Sequence, residues 1–161
     1  MSKKNSKTNA IRVIDSHKIS YDIHTYDNAD NMIDGKAVAD MIFKDYDIVF
    51  KTIIAKSKND YYVFVLPVDM QIDLKKSAVS VNEKSVSLVP IKDIFMLSGY
   101  IKGGCSPIGM RKNFVTVFDI SAKKHDKILF NAGKVGILVE LKVEDISKVI
   151  KFSFEDISDN N

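Results

Sequence analysis

The sequence predicts an α/β (α+β) domain built on a curved mixed β-sheet, barrel-like, surrounded by helices. Three observations carry this. Strand-like and helix-like segments are interleaved along the chain, with more strands than helices. The strands at residues 48–55 and 61–67 are near-continuous apolar runs, as expected for strands covered on both faces. The 161 residues, 45% hydrophobic and 28% charged, suit one domain large enough to bury a core without a metal or disulfide staple.

The elements follow in order. Residues 1–7 read as a disordered arm, residues 8–157 as one domain and residues 158–161 as a frayed tail. Thr8 is placed to cap a helix in which Ala10, Val13, Ile14 and His17 recur at helical spacing. Residues 21–26 alternate with period two, with Tyr21, Ile23 and Thr25 on one face and Asp22, His24 and Tyr26 on the other. A polar loop follows to Asp34, then a helix over residues 35–44. The apolar strands at 48–55 and 61–67 form a hairpin through polar residues 56–60, and Pro67 stops the second strand. Asp73 caps a helix, residues 86–89 make a short strand, and Pro90 opens a helix that stops at Gly99. Strands at 115–118, 128–130 and 137–141 and a helix over 144–150 complete the chain.

Composition sets bounds on function. A net charge of +3 allows weak attraction to nucleic acid but does not demand it, so affinity must come from local clustering. The single cysteine, Cys105, excludes an intrachain disulfide and suits a reducing compartment. No apolar h-region follows the basic N-terminus and no apolar run is long enough to span a membrane, so the expected location is the cytoplasm. Three scattered histidines, His17, His24 and His125, offer no ligand-spaced pair, and neither a metal nor another cofactor is expected.

The densest signal lies between residues 98 and 112. Four of the seven glycines (Gly99, Gly103, Gly104, Gly109) fall there, beside Lys102, Arg111 and Lys112. Such a loop can offer bare amides to a phosphate, a carboxylate or a developing oxyanion, or it can simply turn the chain. Lys51 is the sharpest single anomaly, a lysine within an apolar strand. Its head either snorkels to water or is aimed at an anion, and the second reading is preferred because an unpaired buried ammonium is costly. Cys105 reads as a passive small residue, because no histidine lies near it in sequence to activate it. Tyr21 and Tyr100 are candidates for stacking on a base or ribose. Gly133 and Lys134 open a second glycine turn that reaches toward the pocket. Asp69, Asp73, Glu144 and Asp145 read as helix caps and solvated surface.

Six ordered pieces carry a resemblance: Lys-Thr-Asn-Ala at 7–10, Val-Phe-Lys-Thr at 49–52, Leu-Pro-Val-Asp at 66–69, Asp-Leu-Lys-Lys at 73–76, the run at 99–112, and Asn-Ala-Gly-Lys-Val-Gly at 131–136. This set resembles the YbaK/EbsC family of bacterial Cys-tRNA(Pro) deacylases, which is related to the editing domain of bacterial prolyl-tRNA synthetases. The resemblance implies a free-standing editing domain that hydrolyses the ester of tRNA(Pro) mischarged with cysteine; the small net charge points to modest affinity for tRNA alone, and prolyl-tRNA synthetase is the expected partner that presents it. It places the family's lysine on Lys51, its glycine loop on Gly103 and Gly104 followed by Ser106 and Pro107, and its strand tyrosine on Tyr21. The chain departs from the family at Asn131, where members often have serine, at Val135, where they often have arginine, and at Leu138, where a polar residue is common.

The expected machinery is therefore Lys51 holding the terminal adenosine or its phosphate and the amides of Gly103 and Gly104 holding the oxyanion. Tyr21, Tyr100, Lys102, Ser106, Pro107, Arg111, Lys112, Gly133 and Lys134 would contact the substrate. The cysteinyl thiol of the substrate itself is the expected nucleophile. The rival readings are a deacylase for another mischarged tRNA, such as one carrying alanine, and a non-catalytic module that binds aminoacyl-tRNA or a nucleotide.

Overall fold

A computed structural model describes residues 7–27 and 34–159. Helix α1 (Asn9–Ser16) begins where the Thr8 side chain accepts the Ile11 N–H at 3.2 Å, and it buries Ala10, Ile11 and Ile14. Strand β1 (Tyr21–Thr25) follows. Helix α2 (Gly35–Met41) is capped by Asp34, whose Oδ1 accepts the Ala37 N–H at 2.8 Å. The helix ends before Lys44 because Phe43 takes a left-handed φ of 59°. A 3-10 turn at Tyr46–Ile48 then delays the strand, so β2 spans Phe50–Lys56.

The hairpin of β2 with β3 (Tyr61–Pro67) is antiparallel and sets Lys51 opposite Leu66. Next come β4 (Gln71–Ile72), α3 (Leu74–Ser80), whose Lys76 N–H is held by the Asp73 cap at 2.9 Å, and β5 (Ser87–Leu88). A 3-10 turn leads into α4 (Ile94–Ser98), which Gly99 terminates. Its Phe95, and Ile91 just before it, stay exposed. The chain ends with β6 (Val115–Asp119), β7 (Lys127–Lys134), β8 (Ile137–Lys142), α5 (Val143–Ile146), β9 (Ser153–Glu155) and β10 (Ser158–Asp159). The helix expected over 144–150 shortens to α5 and continues as turns, with the Val149 and Ile150 amides both on the Ile146 carbonyl.

The strands assemble into a mixed five-stranded sheet (β5-β2-β3-β6-β9), an antiparallel three-stranded sheet (β1-β8-β7) and a β4–β10 pair. The pairs β3–β6 and β6–β9 are parallel. The barrel-like expectation is corrected here, because no sheet closes on itself among the described residues. The edge strands β5 and β9 have two and three residues, too few to carry pairing round to the other sheet. The two larger sheets touch instead through one parallel bridge between Val49 and Leu129.

Alternation along β3 explains why its sequence is apolar throughout. Val63 and Val65 enter the main core with Phe118, Phe130 and α1, while Tyr62, Phe64 and Leu66 enter a second core with Ala78 of α3. A third cluster (Val38, Ala39, Val49, Val68, Leu129, Leu138) lies where the two sheets meet. Residues 1–6 of the expected arm and most of the polar loop before Asp34 fall outside the described residues. The described part of the expected tail pairs instead: Ser158 and Asp159 join β4, and Ser158 is buried.

The core supplies a stability test. Phe118 is fully buried, with the rings of Phe152 and Phe130 at 4.7 and 6.1 Å. Phe118→Ala should lower unfolding stability by about 3–5 kcal/mol in urea titration, and a loss below about 1 kcal/mol would contradict this packing.

Candidate functional site

Where the sheets meet, a cleft of about 580 Å³ opens. Each neighbouring element contributes to it: β2 gives Phe50 to Ile53, the start of α2 gives Asp34, Gly35, Lys36 and Val38, and the glycine loop gives Lys102, Gly103 and Cys105. Asn131 of β7, Leu138 of β8 and Tyr26 complete the wall. Much of the apolar lining (Val38, Val49, Val68, Leu138) is the third core cluster, so the cleft rests on packed side chains.

Lys51 is half-buried, and this burial pushes its pKa below the ordinary lysine range. The Asp69 charge opposes the shift, the neighbouring Lys36 adds to it, and Asp34 opposes it again. Among the described residues no carboxylate forms an ion pair with Lys51. The lining carries Lys36, Lys51 and Lys102 against Asp34, a positive surplus suited to an anionic ligand.

The glycine loop is held by backbone geometry. The Gly104 N–H donates to the Ile101 carbonyl at 2.9 Å, closing a turn whose third residue, Gly103, has a φ of +85°. A type II turn needs a positive φ at that position, which only glycine supplies without strain. Gly104 is glycine for a different reason. A Cβ there would lie 2.8 Å from the Val135 N and 3.1 Å from the Lys134 carbonyl carbon, inside the backbone of the β7–β8 turn. This geometry corrects the expected pair of oxyanion donors. The Gly104 amide is committed to Ile101, whereas the Gly103 N–H has no acceptor among the described residues.

Several expected contact residues stand elsewhere. The Tyr21 hydroxyl donates to Asp15 Oδ1 at 2.8 Å, and the ring packs on the main core. Tyr100 is buried and its hydroxyl donates to the Ile108 carbonyl at 2.8 Å; burial pushes its pKa up to about 12. Neither ring lines the cleft. Ser106 is fully buried and its Oγ accepts the Ile108 N–H at 3.2 Å. Pro107 and Lys112 line a second cleft of about 750 Å³ beside Phe114 and Phe152. Arg111 stacks on Phe95, its guanidinium carbon 5.0 Å from the ring centre, and donates to the Met96 carbonyl at 3.3 Å. Gly133 and Lys134 present their amides to Asn131 Oδ1 at 2.7 and 3.0 Å, behind the loop. Of the twelve residues expected in the site, Lys51, Lys102 and Gly103 line the cleft, and Gly104 and Lys134 meet at its back.

Cys105 also lines the cleft, but it is buried, and burial pushes its thiol up to about 11. At neutral pH it is a thiol, in keeping with the passive reading. The histidines stand apart from the cleft. His24 pairs with Glu140 at 2.7 Å, and His125 faces Asp47 at 4.0 Å. Among the described residues no cluster of three His, Cys, Asp or Glu side chains is placed to hold a metal ion.

Four cleft residues escaped the sequence reading. Tyr26 supplies the aromatic wall expected of Tyr21, and it follows from the strand's own alternation, since His24 pairs directly with the cleft residue Leu138. Thr52 lies beside Lys51 and has a buried Oγ1 with no partner among the described residues. Lys36 carries no local pattern that marks it, and Asn131 stands out in the sequence only as a departure from the family's late glycine motif. Asp69, expected at the surface, keeps Oδ1 buried and unpartnered among the described residues and acts on Lys51 through its charge.

Comparisons with known proteins agree with this architecture. Residues 34–149 match the model of the aminoacyl-tRNA editing domain family. The chain is 34% identical over 157 residues to a protein of Enterococcus faecalis named as a Cys-tRNA(Pro)/Cys-tRNA(Cys) deacylase, EbsC, covering 97% of this chain and 96% of that one. A crystal structure described as a trans-editing enzyme for prolyl tRNA synthetase superposes with a TM-score of 0.80 at 14% identity, over 96% of this chain and 99% of the other. That of the hypothetical protein APE2540 superposes with a TM-score of 0.80 at 17% identity, over 94% and 99%. The fold, the glycine loop set against the β7–β8 turn and the relatives agree, and the chain belongs to the aminoacyl-tRNA editing domain family.

Proposed function

We propose that this protein deacylates tRNA(Pro) mischarged with cysteine, acting in trans on the aminoacyl ester in the cytoplasm. The observation that carries the reading is Lys51, a half-buried ammonium with no ion-pair partner among the described residues, in one cleft with the unpaired Gly103 amide. The relative named for Cys-tRNA(Pro) and Cys-tRNA(Cys) supports the choice of amino acid.

In this reading Lys51, with Lys36 and Lys102, holds the phosphate and ribose of the terminal adenosine, and Tyr26 offers its ring to the base. The Gly103 N–H receives the developing oxyanion; one such donor is worth about 10²–10³ in rate. Cys105 is buried and protonated at neutral pH, and in this reading the nucleophile comes from the cargo. The cysteinyl thiol, with an ordinary pKa of about 8.5, has a small thiolate fraction at neutral pH. Its sulfur attacks its own carbonyl, a C–S bond forms and the C–O bond to the ribose breaks. The thiol proton ends on the 3′ oxygen, and water then opens the cyclic thioester to free cysteine. Selectivity follows from that chemistry, since an apolar pocket discriminates weakly among small side chains. The modest net charge of +3 supports presentation of the tRNA by prolyl-tRNA synthetase rather than tight binding alone.

Activity, reactivity and stability each give an expected outcome. Cys-tRNA(Pro) should be deacylated while Ser- and Ala-tRNA(Pro) are left nearly intact; equal rates on all three would refute substrate-thiol assistance, and no activity would favour a binding module. Lys51→Ala should reduce kcat/KM by about 10²-fold with the fold retained by circular dichroism. Cys105→Ala should keep near-wild-type activity, and the native thiol should resist iodoacetamide at pH 7. Since burial raises that thiol from 9.0 to about 11, its contribution to stability is full below pH 9 and falls as pH rises toward 11, a loss that Cys105→Ala should remove from urea titrations.

A further inference from the structure

We propose that Asn131 is a positioning residue that sets the oxyanion donor by clamping the glycine loop onto the β7–β8 turn. This inference rests on the oxyanion role of Gly103 given above. Asn131 makes three bonds with one amide group. Its Oδ1 accepts the Gly133 and Lys134 N–H groups at 2.7 and 3.0 Å, and its Nδ2 donates to the Gly103 carbonyl at 2.8 Å across 28 residues of sequence. The pairing of β7 with β8 slips between Asn131 and Lys134, where the Oδ1 bonds replace the ladder.

The consequence for the loop is geometric. The peptide joining Gly103 to Gly104 is held on both sides, its carbonyl by Asn131 and its N–H by Ile101. With that peptide fixed and Gly104 pressed on the Lys134–Val135 backbone, the preceding peptide loses its freedom to rotate. The preceding peptide carries the Gly103 N–H, the amide left for substrate. A donor fixed before the substrate arrives needs no reorganisation as charge develops on the oxygen. An amide side chain suits the task, since it donates from one end and accepts from the other. A serine at this position has one shorter hydroxyl with a single proton and cannot span both segments in the same way.

The test compares Asn131→Asp with Asn131→Ala. Asp keeps an acceptor for the turn amides but cannot donate to the Gly103 carbonyl, while Ala loses both contacts. In both variants amide exchange at Gly104, followed by NMR, should quicken about tenfold or more as its peptide is released. With Cys-tRNA(Pro), both should lose about 10–100-fold in kcat with little change in KM. Wild-type exchange at Gly104 in Asn131→Asp would show that Asn131 only shapes its own turn and would overturn the proposal. So would a loss confined to KM. The exchange measurement reads the clamp even without turnover, so failure of the deacylase reading and failure of the clamp are separable.

Discussion

The site depends on one close approach of main chain to main chain. Gly104 lies on the backbone of Lys134 and Val135 with no room for a Cβ. Everything on the loop side of the cleft inherits its position from that contact. Helix α1 braces the same junction from behind: Thr8 Oγ1 donates to the Ala132 carbonyl and Asn9 Nδ2 to the Gly109 carbonyl, each at 2.5 Å. The first helix, the glycine loop and the end of β7 are thus tied together by polar contacts between segments distant in sequence. Such a junction satisfies main-chain carbonyls of the loop and of β7 with side-chain donors from the first helix.

Electrostatics divides the protein into two regions. On the exposed surface, charges neutralise one another in pairs such as Lys7 with Asp15, Lys76 with Asp156 and Lys148 with Asp145. Pairs of that kind contribute little to stability. In the cleft the pattern reverses, with three lysines gathered around one lining carboxylate on an apolar floor. Like charges brought together at the expense of desolvation destabilise a fold, and they persist where a ligand supplies the missing opposite charge.

Much of the fold was legible in the sequence because its signals are local. Caps at Thr8 and Asp73, the apolar run of β3 and the stop at Gly99 each depend on a few neighbouring residues. The short strands β4, β9 and β10 were not legible, since two or three residues carry no period and their pairing depends on partners far along the chain. The site divides in the same way. Lys51 announced itself as a charge in an apolar strand, and the loop as a cluster of glycines. Tyr21 and Tyr100, read as stacking candidates, pack on the main core outside the cleft lining, because an aromatic residue reads alike in a core and in a pocket, and burial decides between them. Tyr26, Lys36 and Thr52 became visible as cleft residues only when the two sheets were set edge to edge, and Asn131, marked in the sequence only as a departure from the family, gained its contacts there. The local reading also overcounted the loop's free amides, because the turn spends Gly104 on its own carbonyl.

In the reading proposed above, in which the cargo bears sulfur, the state of Cys105 has a further consequence. A reactive thiolate at this wall would attack the acyl carbon in place of that sulfur, releasing the ribose oxygen and leaving the protein acylated after a turnover. Kept protonated and packed against the loop, the residue lines the chamber without competing for the acyl group. On that reading the pocket handles a nucleophilic cargo repeatedly without poisoning itself.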